Sequence, residues 1–529
     1  MNRSVNILDS SLRDGAQAEG ISFSIEDKLK IVKALDDLGV SYIEAGNPGS
    51  NPKDLEFFSR VKNIDLNKAK ITAFGSTRRK GITPEEDKNL QSLLAAETSV
   101  TAIVGKCWDF HVTEVIQASL SENLEMIRDT INYLKSMDKE VIFDAEQFFD
   151  GYKANPEYAI ACLEAAAGAG AACLALCDTN GGAFPTEIYE ITKKIVETFK
   201  IPIGIHCHND GGMAAANSYM AVEAGASHVQ GTFTGFGERC GNVALATVIP
   251  NLQIKKGIQC ITPDKLPCLT KTARLVNELA NIWLDEKAPY VGRSAFSHKG
   301  GMHIDAVLKS PRSFEHIDPE QVGGVRKLLT SEVAGRGAIL TKIQKINPSI
   351  TKEAPETESI IKRIKELEHE GYQFEAAEGA LDLIIRKQLG KYRPLFELVN
   401  FKIMGERPYT AGRSATAMIK IKVDGRTEIT AAEGEGPVNA LDKALRKALE
   451  VFYPQIAGVR LTDYKVRVLD GKSATASRVR VLIESTDGYE SWTTVGVSRD
   501  IIEASWIALV DSVEYKLIRD IENRFRAYL

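Results

Sequence analysis

Long apolar runs are missing from this chain: no stretch approaches the ~18 residues that a membrane span requires. Cysteine is scarce and confined. The eight thiols fall between Cys107 and Cys268, and no two form a CxxC pair. That spacing excludes a disulfide scaffold and a zinc ribbon, and it predicts reduced, buried thiols in a cytoplasmic protein. Positive charge is in deficit, with 66 Lys and Arg against 71 Asp and Glu, a net charge of −5. Nucleic-acid binders carry a basic excess, so no nucleic-acid partner is expected. Residues 2–9 lack the apolar segment of a secretory signal, and no membrane partner is expected either. No apolar run is followed by the Gly-rich fingerprint of a dinucleotide site.

What is present is a globular composition, 44% hydrophobic and 26% charged over 529 residues. At about 150 residues per domain, several domains are expected. The first part repeats one pattern, a short apolar run followed by a loop and an amphipathic helix. The runs are residues 5–9, 42–45, 70–74, 101–104, 141–145, 173–177, 203–206 and 228–231. Helical periodicity covers 24–38, 121–137, 158–167 and 213–224. Alternation of strand and helix implies parallel strands with crossover helices. Eight such units have the arithmetic of a (β/α)8 TIM barrel. A doubly wound open sheet is the alternative, and the missing fingerprint argues against it. Ser24 with Asp27 marks one helix start, and Gly39 and Gly225 mark helix ends.

Three divisions follow: an α/β barrel over 1–274, helical linker subdomains over 275–395, and an α+β region over 396–529. In the last, strand-like alternation appears at 417–423 and 464–469. A two-copy repeat is visible there. Gly436, Leu441, Ala444, Ala448 and Leu449 match Gly496, Ile501, Ala504, Ala508 and Leu509 at an offset of 60. Asp424-Gly425 and Asp487-Gly488 are turn signals within the copies. A duplicated β/α unit forms a groove between its halves, or is simply duplicated packing.

A barrel carries its chemistry at the C-terminal ends of its strands. Strand one runs into Leu12-Arg13-Asp14-Gly15, where Arg13 and Asp14 are either site residues or a structural ion pair. Strand seven ends in His206-Cys207-His208. On extended backbone, residues two apart point the same way, so both imidazoles can reach one metal. Two ordinary buried or surface histidines are the alternative. Cys207 faces the other side. After strand eight comes the Gly-rich loop 235–242, either a close backbone approach to a site or a flexible loop. The two imidazoles, the Asp14 carboxylate and the amide oxygen of Asn242 form a mixed N/O shell suited to Mg, Mn or Zn. Asp144 and Glu146 end strand five, and the run from Asp178 through Thr179 ends strand six, all over the same mouth. Beyond the barrel, His298 and His303 offer two further imidazoles, either a general base or structural groups.

Taken in order, Leu12-Arg13-Asp14-Gly15, the His206/His208 pair and Gly241-Asn242 resemble the metal-dependent TIM-barrel family of acyl-CoA-using synthases and lyases. Its members include 2-isopropylmalate, homocitrate and citramalate synthases. Residues 300–303 resemble the synthases' second-domain motif, and the C-terminal repeat resembles their allosteric, amino-acid-binding module. Residues 143–152 and 74–79 are most similar to the citramalate branch. The resemblance implies metal ligation by Asp14, His206, His208 and Asn242, and oxyanion stabilisation by Arg13. It implies keto-acid contacts from Glu146 and Thr179, and a catalytic base in His303. It further implies acetyl-CoA and pyruvate as substrates, a homodimer, and isoleucine as the effector. His298 reads as structural. One departure is that Phe314 stands where the synthases commonly have Tyr.

Three rivals remain: a 2-isopropylmalate synthase, a lyase of the same barrel, and a non-catalytic branched-chain amino-acid sensor. The long extension argues against the lyase. The intact Arg13, Asp14, His206, His208 and Asn242 set argues against the sensor.

Overall fold

The computed structural model describes residues 3–50, 52–329, 336–410, 413–469, 477–488 and 490–527. Eight parallel strands close into a barrel: β1 (Asn6–Asp9), β2 (Tyr42–Glu44), β3 (Lys70–Ser76), β4 (Val100–Lys106), β5 (Glu140–Glu146), β6 (Cys173–Asp178), β7 (Ile203–Cys207) and β8 (His228–Gly231). Each predicted apolar run lies on one of these strands, within two residues at either end. Closure comes from β8 pairing with β1, Gln230 beside Leu8.

The crossover helices start and stop where their side chains satisfy the free backbone groups. Ser24 and Asp27 form the reciprocal capping box of the helix Ile25–Leu38, and Gly39 ends it at φ 93°. The Asn155 side chain accepts from the Tyr158 N–H at the start of Pro156–Gly168. Alternation along the strands sorts the barrel's layers. Leu8, Val100, Ala102, Ile142, Cys173 and Ala175 make a small inner cluster, while Ile7, Ile103, Phe143, Leu174 and Ile205 join the large core shared with the helices. Two residues on from Ile142, the same inward face brings Asp144 and then Glu146 toward the C-terminal mouth. The cysteine expectation needs a correction. Six thiols are buried, but Cys240, in a turn, and Cys268, at the end of the short helix Pro263–Cys268, are exposed, and all eight are free.

Tertiary contacts divide the chain into two compact units, Met1–Phe296 with Glu315–Arg326, and Ser297–Phe314 with Lys327–Leu529. In the second, β9 (Ser297–His298) pairs with β10 (Lys327–Leu328). Two three-stranded antiparallel sheets follow, β11 (Glu397–Thr410), β12 (Arg413–Val423) and β13 (Arg426–Gly434), then β14 (Arg460–Val468), β15 (Val479–Thr486) and β16 (Ser491–Ser498). Each sheet is followed by a helix, Pro437–Glu450 and Ile501–Ala527. Asp424 and Gly425, at φ 46° and 84°, make the two-residue turn of the first copy, the geometry that matches strand twist.

The copies superpose with a different offset from the one the sequence suggests. Thr430 donates to the Ala444 carbonyl and Thr494 to the Ala508 carbonyl, at 3.0 and 2.7 Å, so equivalent positions lie 64 residues apart. The offset of 60 matched small residues one helical turn out of step. A helix face recurs about every four residues, so Ala falls on Ala in either frame. The linker helices Pro355–Glu370 and Glu378–Gln388 share an apolar cluster with Val495 of β16, and Leu482 and Val497 pack against it. Among the described residues no helix is long and apolar enough to cross a membrane.

Candidate metal centre

The mouth of the barrel gathers charge that the interior below it excludes. Arg13, in the turn after β1, donates through Nε to Glu44 Oε2 at 2.6 Å and through NH1 to Asp14 Oδ2 at 2.9 Å. Its guanidinium carbon lies 3.9 Å from the centroid of Phe74. Burial disfavours the Arg13 cation, but Glu44 and Asp14 more than offset this and push its pKa above the usual value. The predicted ion pair is therefore one edge of a larger cluster.

Asp14 Oδ2 stands 3.7 Å from His206 Nε2 and 4.0 Å from His208 Nε2. Asn242 donates through Nδ2 to Asp14 Oδ1 at 2.9 Å. Burial raises the Asp14 pKa, yet Arg13 and the imidazoles outweigh it and hold the carboxyl well below the usual range. Burial lowers both histidines. His208 falls to about 4, with His206 as the second cause, and His206 is lowered against the opposing pull of Asp14. A deprotonated carboxylate and two neutral imidazoles are the protonation states a metal needs.

Backbone geometry presents these groups. His206 and His208 straddle the end of β7, with ring centroids 5.3 Å apart. Asn242 bridges to His208 as isolated β-structure, in a loop that turns at Gly241 with φ 82°. A Cβ on Gly241 would meet the Gly235 carbonyl at 2.0 Å, so only glycine fits there. The Gly-rich loop is thus a fixed support. Asp14, His206 and His208 offer donor atoms within 4.8 Å of one another, the one such group among the described residues. Asn242 Oδ1 is buried without a hydrogen-bond partner. The donor set and this partnerless oxygen fit a divalent metal. Cys207 is buried and outside the group, its thiol pushed well up by burial.

Glu146 ends β5 in an ion pair with Lys106 at the end of β4. Thr179, just beyond β6, accepts the Gln147 N–H on its hydroxyl at 3.0 Å. A cavity of about 240 Å³ opens beside Arg13, lined also by Gln17, Lys28, Asn47, Lys53 and Phe74. His303 is not a barrel residue. It lies exposed on the helix Gly301–Lys309 of the second unit, its ring stacked on Phe314 with centroids 4.0 Å apart.

Sequence reasoning missed Glu44 and Gln230. Glu44 holds Arg13 and also accepts from the Ser10 hydroxyl. Gln230 faces His206 Nδ1 through Oε1 at 3.0 Å and donates through Nε2 to Asp144 Oδ1 at 2.7 Å. Burial first, then Glu44, pushes the Asp144 carboxyl up to about 7. The available signal was a polar residue inside a short apolar strand, Glu44 in Tyr-Ile-Glu and Gln230 in His-Val-Gln-Gly.

Three families match successive stretches: HMGL-like over residues 4–276, the homocitrate synthase post-HMGL domain-like family over 290–372, and the LeuA allosteric (dimerisation) domain over 375–517. The chain is 51% identical over 525 residues to the (R)-citramalate synthase of Aquifex aeolicus, covering 99% of each chain. It is 51% identical over 514 residues to that of Geobacter sulfurreducens, covering 97% of each. Identity is 31% over 510 residues to a probable 2-isopropylmalate synthase of Methanopyrus kandleri, covering 96% of this chain and 97% of that one.

Proposed function

The chain belongs to the HMGL-like family and, within it, to the citramalate synthases, and from that premise we propose that it condenses acetyl-CoA with pyruvate to give (R)-citramalate and CoA. The observation that carries this reading is the 51% identity to (R)-citramalate synthases over nearly the whole of both chains, against 31% to a probable 2-isopropylmalate synthase. We divide the labour as barrel 1–274, linker 275–395 and regulatory region 396–529; the three family matches follow the same order, with the LeuA match starting at residue 375, inside the proposed linker.

Asp14, His206, His208 and Asn242 would hold a divalent metal, with Mg, Mn and Zn all suited to the N/O donors. Such an ion supplies Lewis acidity to a 2-keto acid. Arg13, fixed by Glu44 and Phe74, aims its N–H groups where the alkoxide develops, without reorganising. Thr179 takes an N–H from Gln147, which leaves its own O–H to donate to the keto-acid carboxylate. Glu146, paired with Lys106, borders the same acceptor. His303 takes a proton from the methyl of acetyl-CoA. The resulting enolate carbon bonds to C2 of pyruvate, and C2=O becomes an alkoxide that takes up a proton. Water then adds to the thioester and CoA leaves as the thiol.

The LeuA allosteric (dimerisation) match supports a homodimer and allosteric control, and as effector we assign isoleucine, the end product of the citramalate route. Eight free thiols suit a reducing compartment, so the cytoplasm is the proposed location.

A thiol-release assay with acetyl-CoA and a panel of 2-keto acids tests the reading. Pyruvate is expected to be turned over best. Preference for 2-ketoisovalerate would replace it with 2-isopropylmalate synthesis. Isoleucine binding without thiol release on any keto acid would leave a sensor.

A further inference from the structure

Resting on the metal reading above, we propose that Gln230 and Asp144 are positioning residues that lock His206 in the tautomer able to bind a metal through Nε2. All three side chains are buried, at 1, 2 and 5% exposure. Gln230 on β8 sits in register with His206 on β7, and its amide reaches across the interior to Asp144 on β5.

The chemistry of the three groups leaves one arrangement. Above about pH 7, where Asp144 is ionised, its carboxylate only accepts hydrogen bonds. Asp144 Oδ1, 2.7 Å from the Gln230 amide nitrogen, therefore turns the NH2 toward itself. That leaves the carbonyl Oε1 facing His206 Nδ1 at 3.0 Å. A carbonyl cannot donate, so Nδ1 must carry the hydrogen. A neutral imidazole has one N–H, and the lone pair is then on Nε2. Nε2 is the nitrogen 3.7 Å from the Asp14 carboxylate, on the side of the proposed ion. His208 differs, because its Nδ1 is buried with no hydrogen-bond partner. The lock thus acts on one of the two histidines. It runs through three strands, none of which contributes Asp144 or Gln230 as a ligand.

The test uses the full chain with Mn2+ alone as probe, free Mn2+ being read by its EPR signal. Asp144→Leu touches no ligand but lets the amide present NH2 to His206, which favours the wrong tautomer. It and Gln230→Met are each expected to weaken Mn2+ binding at least ~10-fold. Asp144→Asn still offers an oxygen to the amide and is expected to restore most of the affinity. Native-like binding in Asp144→Leu, or Asp144→Asn as weak as Asp144→Leu, overturns the proposal. A second measurement needs no variant that might not fold. Long-range 15N–1H spectra of the metal-free native chain in mildly alkaline buffer should show His206 protonated at Nδ1, assigned by the signal's loss in His206→Asn. Protonation at Nε2 overturns the lock. A native chain that takes up neither Mn2+ nor Zn2+ defeats the metal reading instead, and the 15N result still decides the tautomer.

Discussion

The barrel mouth and the C-terminal repeat both bury polar side chains, but only the mouth gathers them into a cluster of potential metal donors among the described residues. Between the second sheet and its helix, Ser512 donates to Ser485 and accepts from Trp492 Nε1, and Thr494 bonds the Ala508 carbonyl. Tyr464 and Ser505 share a hydroxyl contact at 2.8 Å. These groups complete one another, although Ser477 Oγ, Thr493 Oγ1, Arg519 Nε and Asp520 Oδ2 in the same region are buried without a partner. At the barrel mouth, Asp9 Oδ2, Glu44 Oε1, Asp144 Oδ2, His208 Nδ1 and Asn242 Oδ1 are buried without a hydrogen-bond partner. Each such atom costs about 1–3 kcal/mol relative to a satisfied one. Selection for stability alone would replace them. Polar burial around Ser485, Ser512 and Thr494 braces sheet against helix, and the cluster at the barrel mouth fits the proposed metal.

The sharpest way to break this contrast is at Asp14. Asp14→Ala or His206→Ala is expected to lower thiol release by roughly 10³-fold with the far-UV circular dichroism unchanged. Near-normal turnover in both would make the cluster structural, like the repeat's. Next comes His303→Ala, which should lower kcat about 10²–10⁴-fold while Mn2+ affinity stays native. A matching loss of Mn2+ affinity would show that it acts on the fold of the site and not as a base.

The third prediction concerns stability within the barrel. His228 is fully buried, and burial holds its pKa at about 4, against about 6.5 for an unfolded chain. The unfolded state therefore binds a proton first as pH falls. Stability is unaffected above pH ~6.5 and declines toward pH ~4, by up to ~3 kcal/mol from this residue. Urea midpoints at neutral and acid pH should differ less in His228→Leu than in the native chain. Equal pH dependence would remove His228 as a cause. The smallest effect belongs to the repeat. Thr494→Val, at a fully buried position, should cost about 1 kcal/mol and the half-buried Thr430→Val less. The reverse order in denaturant unfolding would mean the two copies are not braced alike.

The same contrast explains what was legible in the chain. Barrel strands announce themselves because each is a short apolar run between loops, and the pair His206/His208 is readable because period-two geometry is local. Asp14 and Asn242 lie more than two hundred residues apart in sequence and touch only because β8 closes on β1. Their partnership was readable only by placing both at one barrel mouth and from resemblance, not from local spacing. Glu44 and Gln230 were hidden for a related reason. Each is a single polar residue whose partners sit on other strands. In the repeat, the helical period itself misled, since a four-residue slip preserves the small-residue pattern that carries the match.

The partnerless atoms around Asp14 have a consequence for how much of the chain stays folded. A cation that binds only the native mouth shifts the folding equilibrium by mass action, by about 2.7 kcal/mol at a hundred times its Kd. The organism's free-metal level would then govern the lifetime of the barrel as well as its turnover. A chelator would age the protein before it starved the reaction.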